Sequence, residues 1–272
     1  MVDPGTGIAL GGAAWGSKEL VLKVLGPTAD YLGEGLKGLT EKSANNIKNI
    51  FSAAERKVPD EMANKGQVPP KVLKGILFDG AFCDDSLAAE YFGGVLASSK
   101  SEVSRDDRGA TINNLIAQLS TYQLRAHYIF YLAIKKIFDG QEINPGDANE
   151  LNKCAIYISF TEFTKLMDFT KEENESGKPI LIHILFGLHK ESLIVPHTWG
   201  HVDHINKIYK NDAILEPGMI IKPASLGIEL FLWAHGNGRY DNEFFLDKNF
   251  NPEPASKINL SSGFFKANPE KK

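Results

Sequence analysis

The stretch from residue 121 to 138, TYQLRAHYIFYLAIKKIF, constrains the fold more than any other part of the chain. Leu124, Tyr128, Ile129, Phe130, Tyr131, Leu132, Ile134, Ile137 and Phe138 cover most of a helical circumference rather than a single stripe. A helix of that kind is stable in water only when other elements cover it on several sides, so it belongs at the centre of a core. Thr121 is the expected N-cap and Gly140 the expected stop. At 272 residues the chain can supply the surrounding layers, as one large domain or two small ones.

Upstream of this helix the texture is helical throughout. Leu20, Val21, Val24, Leu25, Leu32, Leu36 and Leu39 space a helix over 18–39, broken or kinked by Pro27. Ile47, Ile50, Phe51 and Ala54 form the stripe of a second helix over 41–56. Pro69-Pro70 opens a third, since proline suits the first helical position, where an N–H would be unpaired in any case. Asp84 or Asp85 caps a fourth, bearing Leu87, Tyr91, Phe92, Val95 and Leu96. Asp106 or Asp107 caps a fifth, with Ile112, Leu115, Ile116 and Leu119. No strand is expected before residue 140.

Past Pro145 the pattern changes. CAIYISF (154–160) reads as a short strand, followed by a helix that Ser159 and Glu162 open as a capping box. Residues 179–189 read as a helix, ILEPGMIIK (214–222) as two short strands around Pro217-Gly218, and 224–234 as a helix. A helix, two strands and then P-x-x-L-G-x-x-L (223–230) resembles the end of a winged-helix domain. The expected fold class is therefore α+β, with a mainly helical N-terminal module followed by a mixed, winged-helix-like α/β module. The expected division is a glycine-rich apolar leader (1–16), a helical module (17–140), a mixed module (145–236) and an irregular C-terminal wrap (237–272) anchored by Phe244, Phe245, Phe250, Phe264 and Phe265.

The leader, MVDPGTGIALGGAAWG, carries Asp3 where a secretory signal would carry positive charge, and its apolar run is short and interrupted by glycine. No stretch reaches the roughly 18 apolar residues of a membrane span, so a cytoplasmic protein is expected. Ile8, Leu10 and Trp15, with Leu20 and Val24 behind them, can dock on the domain or insert into a membrane or partner groove, bringing the protein to the membrane periphery on activation. A net charge of −4 argues against nucleic-acid binding by bulk positive charge. Only five arginines are present, and arginine is the residue best suited to bidentate base reading, so nucleic acid is not an expected partner. Lys71, Lys74, Lys135, Lys136 and Lys190 are scattered point charges that a phosphate backbone could still use.

Few residue groupings carry chemistry. His197, His201 and His204 in HTWGHVDH would share one helix face at i, i+4 and i+7, enough for a three-nitrogen metal site, whereas Pro196 and Gly200 favour loop histidines. No HExxH is present to mark a zinc hydrolase. Asp84, Asp85, Asp106, Asp107 and Arg108 read as helix caps and a salt-bridged helix junction, with cation binding as the sharper alternative. The two cysteines, Cys83 and Cys154, are 71 positions apart, without a base in sequence to activate either, and Phe82 suggests a buried Cys83. No phosphate-cradling glycine fingerprint occurs. No catalytic residue and no cofactor is expected.

The segments FDGAFCDDSLAAEYFGGVLASS (78–99), SRDDRGA (104–110) and LSTYQLRAHYIFY (119–131), with LGPTADYLGEGL (25–36) and QVPPKVLKGIL (67–77) upstream, carry a resemblance. On these segments the chain resembles the Abi-alpha family of bacterial domains, closely over residues 26–131 and more loosely through IYISFTEF and LFGLHKESLI to Trp233. The resemblance implies a setting in abortive infection, the arrest or death of phage-infected cells, and supplies no catalytic residues. The expected function is a non-enzymatic anti-phage effector or interaction protein, oligomeric or bound to a protein partner, that exposes its apolar N-terminal segment. The alternatives are a metal-dependent hydrolase or nuclease and a winged-helix DNA-binding module.

Overall fold

A computed structural model describes residues 41–60, 65–83, 85–103, 105–252, 258, 260 and 263–267. Ile8, Leu10, Trp15, Leu20, Val24 and Asp84 lie outside the described residues, as does the expected helix over 18–39. The described chain is predominantly helical with one small antiparallel sheet, an α+β fold. It divides into two compact units: the residues through Leu119 together with Leu232–Arg239, and Ser120–Phe231 together with the residues from Tyr240 onward. This division departs from the expected one. The apolar helix over 121–138 belongs to the second unit, and a short stretch after residue 231 returns to the first.

The first unit contains helices α1 (Glu41–Lys57), α2 (Pro70–Phe78), α3 (Ser86–Ser98) and α4 (Arg108–Gln118), with a 3-10 turn at Gly80–Phe82. Ile47, Ile50, Phe51 and Ala54 of α1 are fully buried, as their spacing required. On α3, Gly93 permits the close approach of α1. A Cβ built there would lie 2.5 Å from Ala53 Cβ and 2.8 Å from Ile50 O, closer than real side chains come. The neighbouring Gly94 plays the same part for Ala234, whose carbonyl oxygen would be 2.0 Å from an added Cβ. Glu90 of α3 bridges to Arg56 and Lys57 at the end of α1. Burial pushes the Glu90 carboxyl up, but Lys57 and Arg56 together outweigh it and hold its pKa below the usual carboxylate value.

The second unit is built on α5 (Thr121–Phe138), α6 (Ala148–Leu151), β1 (Ile156–Ser159), α7 (Phe160–Met167), α8 (Lys171–Glu175) and α9 (Gly177–Lys190). It continues with β2 (Thr198–Gly200), α10 (Val202–Tyr209), β3 (Gly218–Ile221), α11 (Ser225–Ala234), a 3-10 turn at Asn242–Leu246 and β4 (Phe264–Lys266); the unit boundary falls inside α11. The sheet order is β2-β3-β1-β4, antiparallel throughout. Of the two short strands expected over 214–222 one forms, β3, which pairs with Thr198–Gly200 on one side and with β1 on the other. The C-terminal region, read as an irregular wrap, supplies the edge strand β4 that pairs with β1.

α5 is as buried as its composition demanded. Ala126, Ile129, Phe130, Tyr131 and Ile134 are within 1% of full burial. The helix starts one residue earlier than expected. Ser120 is the N-cap and forms a reciprocal capping box with Gln123. Gly140, with φ of +68°, ends the segment in a conformation that side chains resist. Arg125 reaches across to α7 and donates from Nε and Nη2 to Leu166 O at 3.0 and 2.8 Å, satisfying a carbonyl at that helix's open C-terminal end.

Tyr131 is the junction of the unit. Its hydroxyl donates to Leu193 O at 2.6 Å and accepts from Ala224 N at 2.9 Å, tying α5 both to the loop after α9 and to the start of α11. Gly227 of α11 makes room for it, since an added Cβ would sit 2.0 Å from the Tyr131 oxygen. His127 stacks on the Tyr131 ring at 4.4 Å, with its Nε2 3.0 Å from Gly227 O. On one face of the sheet, Ala155, Tyr157, Ile220 and Ala267 pack with Ile205 of α10 and Ile214 in a second, smaller apolar cluster.

Two changes test this packing. Gly93→Ala is expected to destabilise the protein by about 1–3 kcal/mol, because the added methyl meets backbone that must shift. Tyr131→Phe strands a buried carbonyl and a buried N–H, and is expected to lose about 2–4 kcal/mol. Urea unfolding, followed separately by a probe in each unit, checks both.

Candidate functional site

The segment carrying the three histidines is not one helix. Thr198–Gly200 pairs with β3, Gly200 has φ of +140°, and helix α10 starts only at Val202. His201 therefore occupies the N-cap position of α10, His204 lies in its first turn, and His197 precedes β2. The i, i+4, i+7 face that a three-nitrogen site needs does not form. Among the described residues no group of three or more His, Cys, Asp or Glu side chains is placed to hold a metal ion.

His197 is brought to a different neighbour. Its ring lies 6.0 Å from that of His189 on α9 and 5.5 Å from Phe186, edge-on to both. His189 Nδ1 lies 3.2 Å from Ile194 O, which fixes it as the donor there, whereas His197 Nδ1 is buried and has no hydrogen-bond partner among the described residues. Burial first, and the neighbouring His189 second, hold the His197 imidazole below its ordinary pKa.

The acidic residues act as architecture. Asp85 Oδ1 accepts from Leu87 N and Ala88 N at 2.8 and 3.0 Å, capping α3. Asp107 occupies the N-cap position of α4 but leaves the helix uncapped, and joins Lys71 of α2 at 3.0 Å instead. Arg108 holds Asp106 with two bonds, from Nε at 2.8 Å and Nη2 at 2.9 Å, and lies 5.7 Å from the Trp233 ring centroid. The bonds of Asp85 close on its own helix, and those of Asp106 and Asp107 tie the start of α4 to itself and to α2.

Most of the remaining candidates are taken up by packing or pairing, whereas Lys74 is exposed on α2. Cys154 is buried, and burial together with Glu150 pushes its thiol up to about 12, so no thiolate is present at neutral pH. Cys83 is half-buried, and Phe82, expected to bury it, is itself 76% exposed. Of the lysines scattered for phosphate, Lys71 joins Asp107 and Lys190 joins Glu191. Lys136 donates to Leu260 O, and Lys135 is buried against Asp139 and Asp247 O.

Hydrophobic spacing alone did not single out the outer face of α9. Ile184, Leu185 and Leu188 face the core, whereas Ile182 is 38% and Phe186 57% exposed. With Pro179 and His189, which are also exposed, they form a stripe at 3, 4 and 3 spacing along one side of the helix. This is an apolar stripe on an element whose buried side already satisfies the core. The sequence signal is an α9 with apolar residues on more than one face, which reads as deep burial when the helix is considered alone.

In comparisons with protein-family models, with curated proteins and with solved structures, nothing matches this chain.

A depressed histidine pKa has a definite sign. The unfolded chain takes up the His197 proton more readily than the folded protein, so the stability due to neutral His197 is full above its ordinary value near 6.5 and is lost as pH falls through the lower folded value. Replacing His197 with Asn is expected to flatten the loss of thermal stability between neutral pH and the onset of carboxylate protonation. Melting temperatures in a pH series, wild type against variant, check it.

Proposed function

We propose that this chain is a non-enzymatic anti-phage effector or interaction protein of the abortive-infection type. In this reading its second unit is a winged-helix-like module that presents α9 to a protein. The setting comes from the resemblance of residues 26–131 to the Abi-alpha family. The observation that carries the mode of action is the exposed Ile182 and Phe186 on α9. Exposed large apolar side chains at helical spacing are the anchors by which a helix docks on a protein surface.

The winged-helix-like reading rests on element order. Helix α5 is followed by the short α6 and then β1, two helical segments lead to α9, and the antiparallel strands β2 and β3, with α10 between them, then pair beside β1 in the order β2-β3-β1. In that arrangement α9 holds the place of a recognition helix. The same order supports a second reading, a DNA-binding module. Its outward stripe weakens that reading: a helix entering a groove needs polar and cationic side chains where α9 carries Ile182 and Phe186. In the favoured reading, exposure of Ile8, Leu10, Trp15, Leu20 and Val24 to a membrane surface or partner is the effector step, with α9 as the contact that controls it. Among the described residues no helix is long and apolar enough to cross a membrane.

Ile182→Ser and Phe186→Ser, made together, are expected to abolish protection or growth arrest in phage-infected bacteria with no fall in melting temperature. Deleting residues 1–16 is expected to abolish the same response. Full protection by both variants would sink the proposal. Duplex DNA binding that weakens steeply with salt would favour the second reading instead.

A further inference from the structure

The second unit contains a cavity of about 320 Å³ enclosed by α7, α8, the first turns of α9 and β2. Its walls are aromatic: Phe160, Phe163, Phe169 and Trp199 line it, and its polar lining includes Asn174 and Lys178. Phe163 is buried by its stack on Phe130 at 5.6 Å, but Phe160, Phe169 and Trp199 remain half-buried around the opening. Phe160 and Trp199 stand edge to face at 6.5 Å, and Phe169 stands edge to face with Tyr122 at 5.9 Å. The rings are thus held by neighbours and do not close over the space between them. The volume is that of a small-ligand site, at the lower end of the roughly 300–1,000 Å³ usual for such sites.

The polar groups specify what would enter. Lys178 is exposed, has no ion pair among the described residues, and sits in the first turn of α9, where the helix end is itself electropositive. Among the described residues no carboxylate lines the cavity. Of the three acids on α8, Glu172, Glu173 and Glu175, none lines the cavity, and Glu173 is committed to Tyr122 Oη at 2.5 Å and Thr170 N at 2.7 Å. Asn174 donates its amide N–H groups to Thr170 O at 2.9 Å and Phe169 O at 3.3 Å, which leaves Oδ1 as the acceptor it offers a ligand.

We infer that this cavity binds a small planar aromatic carboxylate. Its ring lies between Phe160, Phe169 and Trp199, its carboxylate meets Lys178, and a ring N–H or O–H donates to Asn174 Oδ1. Aromatic walls favour a flat ring in offset or edge-to-face contact, and a lone ammonium at the rim selects a single negative charge over a neutral analogue. The inference stands apart from the docking role of α9, because the cavity side of that helix and its outward stripe use different residues.

Equilibrium dialysis of the full chain with indole-3-acetate, and with 3-methylindole as the neutral analogue, tests it. The acid is expected to bind saturably with a Kd tighter than about 1 mM and several-fold tighter than the neutral compound. Lys178→Gln is expected to weaken the acid about fivefold or more while leaving 3-methylindole within about twofold. Trp199→Ala is expected to weaken both. Should Trp199→Ala lower the melting temperature, Lys178→Gln still decides, since its side chain is exposed and holds no bond among the described residues. No saturable binding of the acid, equal affinity for the two compounds, or an unchanged acid affinity in Lys178→Gln would each overturn the inference.

Discussion

The second unit is organised around one hydroxyl group. Tyr131 is fully buried on α5, a helix covered around most of its circumference, and its oxygen is the only polar atom its side chain brings inside. Burial alone would make that oxygen a liability of a few kcal/mol. The fold removes the liability by bringing two backbone groups from distant segments to it, Leu193 O and Ala224 N. Those two contacts position what surrounds them. Leu193 lies just beyond α9, which carries the outward stripe and one wall of the aromatic cavity, and Ala224 immediately precedes α11. Burial also raises the Tyr131 phenol above its usual range, which favours the neutral, donating form of the hydroxyl.

Local chemistry made much of this legible. The all-round apolar character of 121–138 announced a central helix, and IYIS announced a strand. The helix starts at Pro70, Asp85 and Ser159 were each readable from one or two residues, because a cap or an N-terminal proline acts within a single turn. What failed was what depends on partners far along the chain. Thr198–Gly200 is three residues long, too short to show alternation, and only its pairing with β3 makes it a strand. Read without that pairing, its flanking histidines fell on one imagined helical face. Likewise, Leu232–Arg239 group with the first unit and residues 264–266 pair with β1, and no local property of those segments encodes either partner.

The candidate site was hidden for a related reason. Ile182 and Phe186 count toward hydrophobicity whether they face a core or solvent, and α9 holds enough apolar residues to supply both sides. Similarly, Phe160, Phe163, Phe169 and Trp199 read as ordinary core aromatics in sequence. Their rings become cavity walls because α7, α8, the start of α9 and β2 border one space. The caps and ion pairs of the first unit, by contrast, are sequence-local: Asp85 bonds to its own helix and Asp106 to its near neighbour Arg108.

The edge strand β4 bears on how the second unit is assembled. Its pairing sets Ile156 beside Lys266, so the fourth strand joins the sheet across a span of more than a hundred intervening residues. Closing so long a loop is entropically slow compared with forming the helices on either side. Until it closes, the β1 edge presents unpaired backbone N–H and C=O groups, the same template that a second, partly folded copy could extend. During synthesis and refolding, the β1 edge therefore stays open until residues 264–266 arrive, and the three-residue β4 then replaces it as the shorter edge of the sheet.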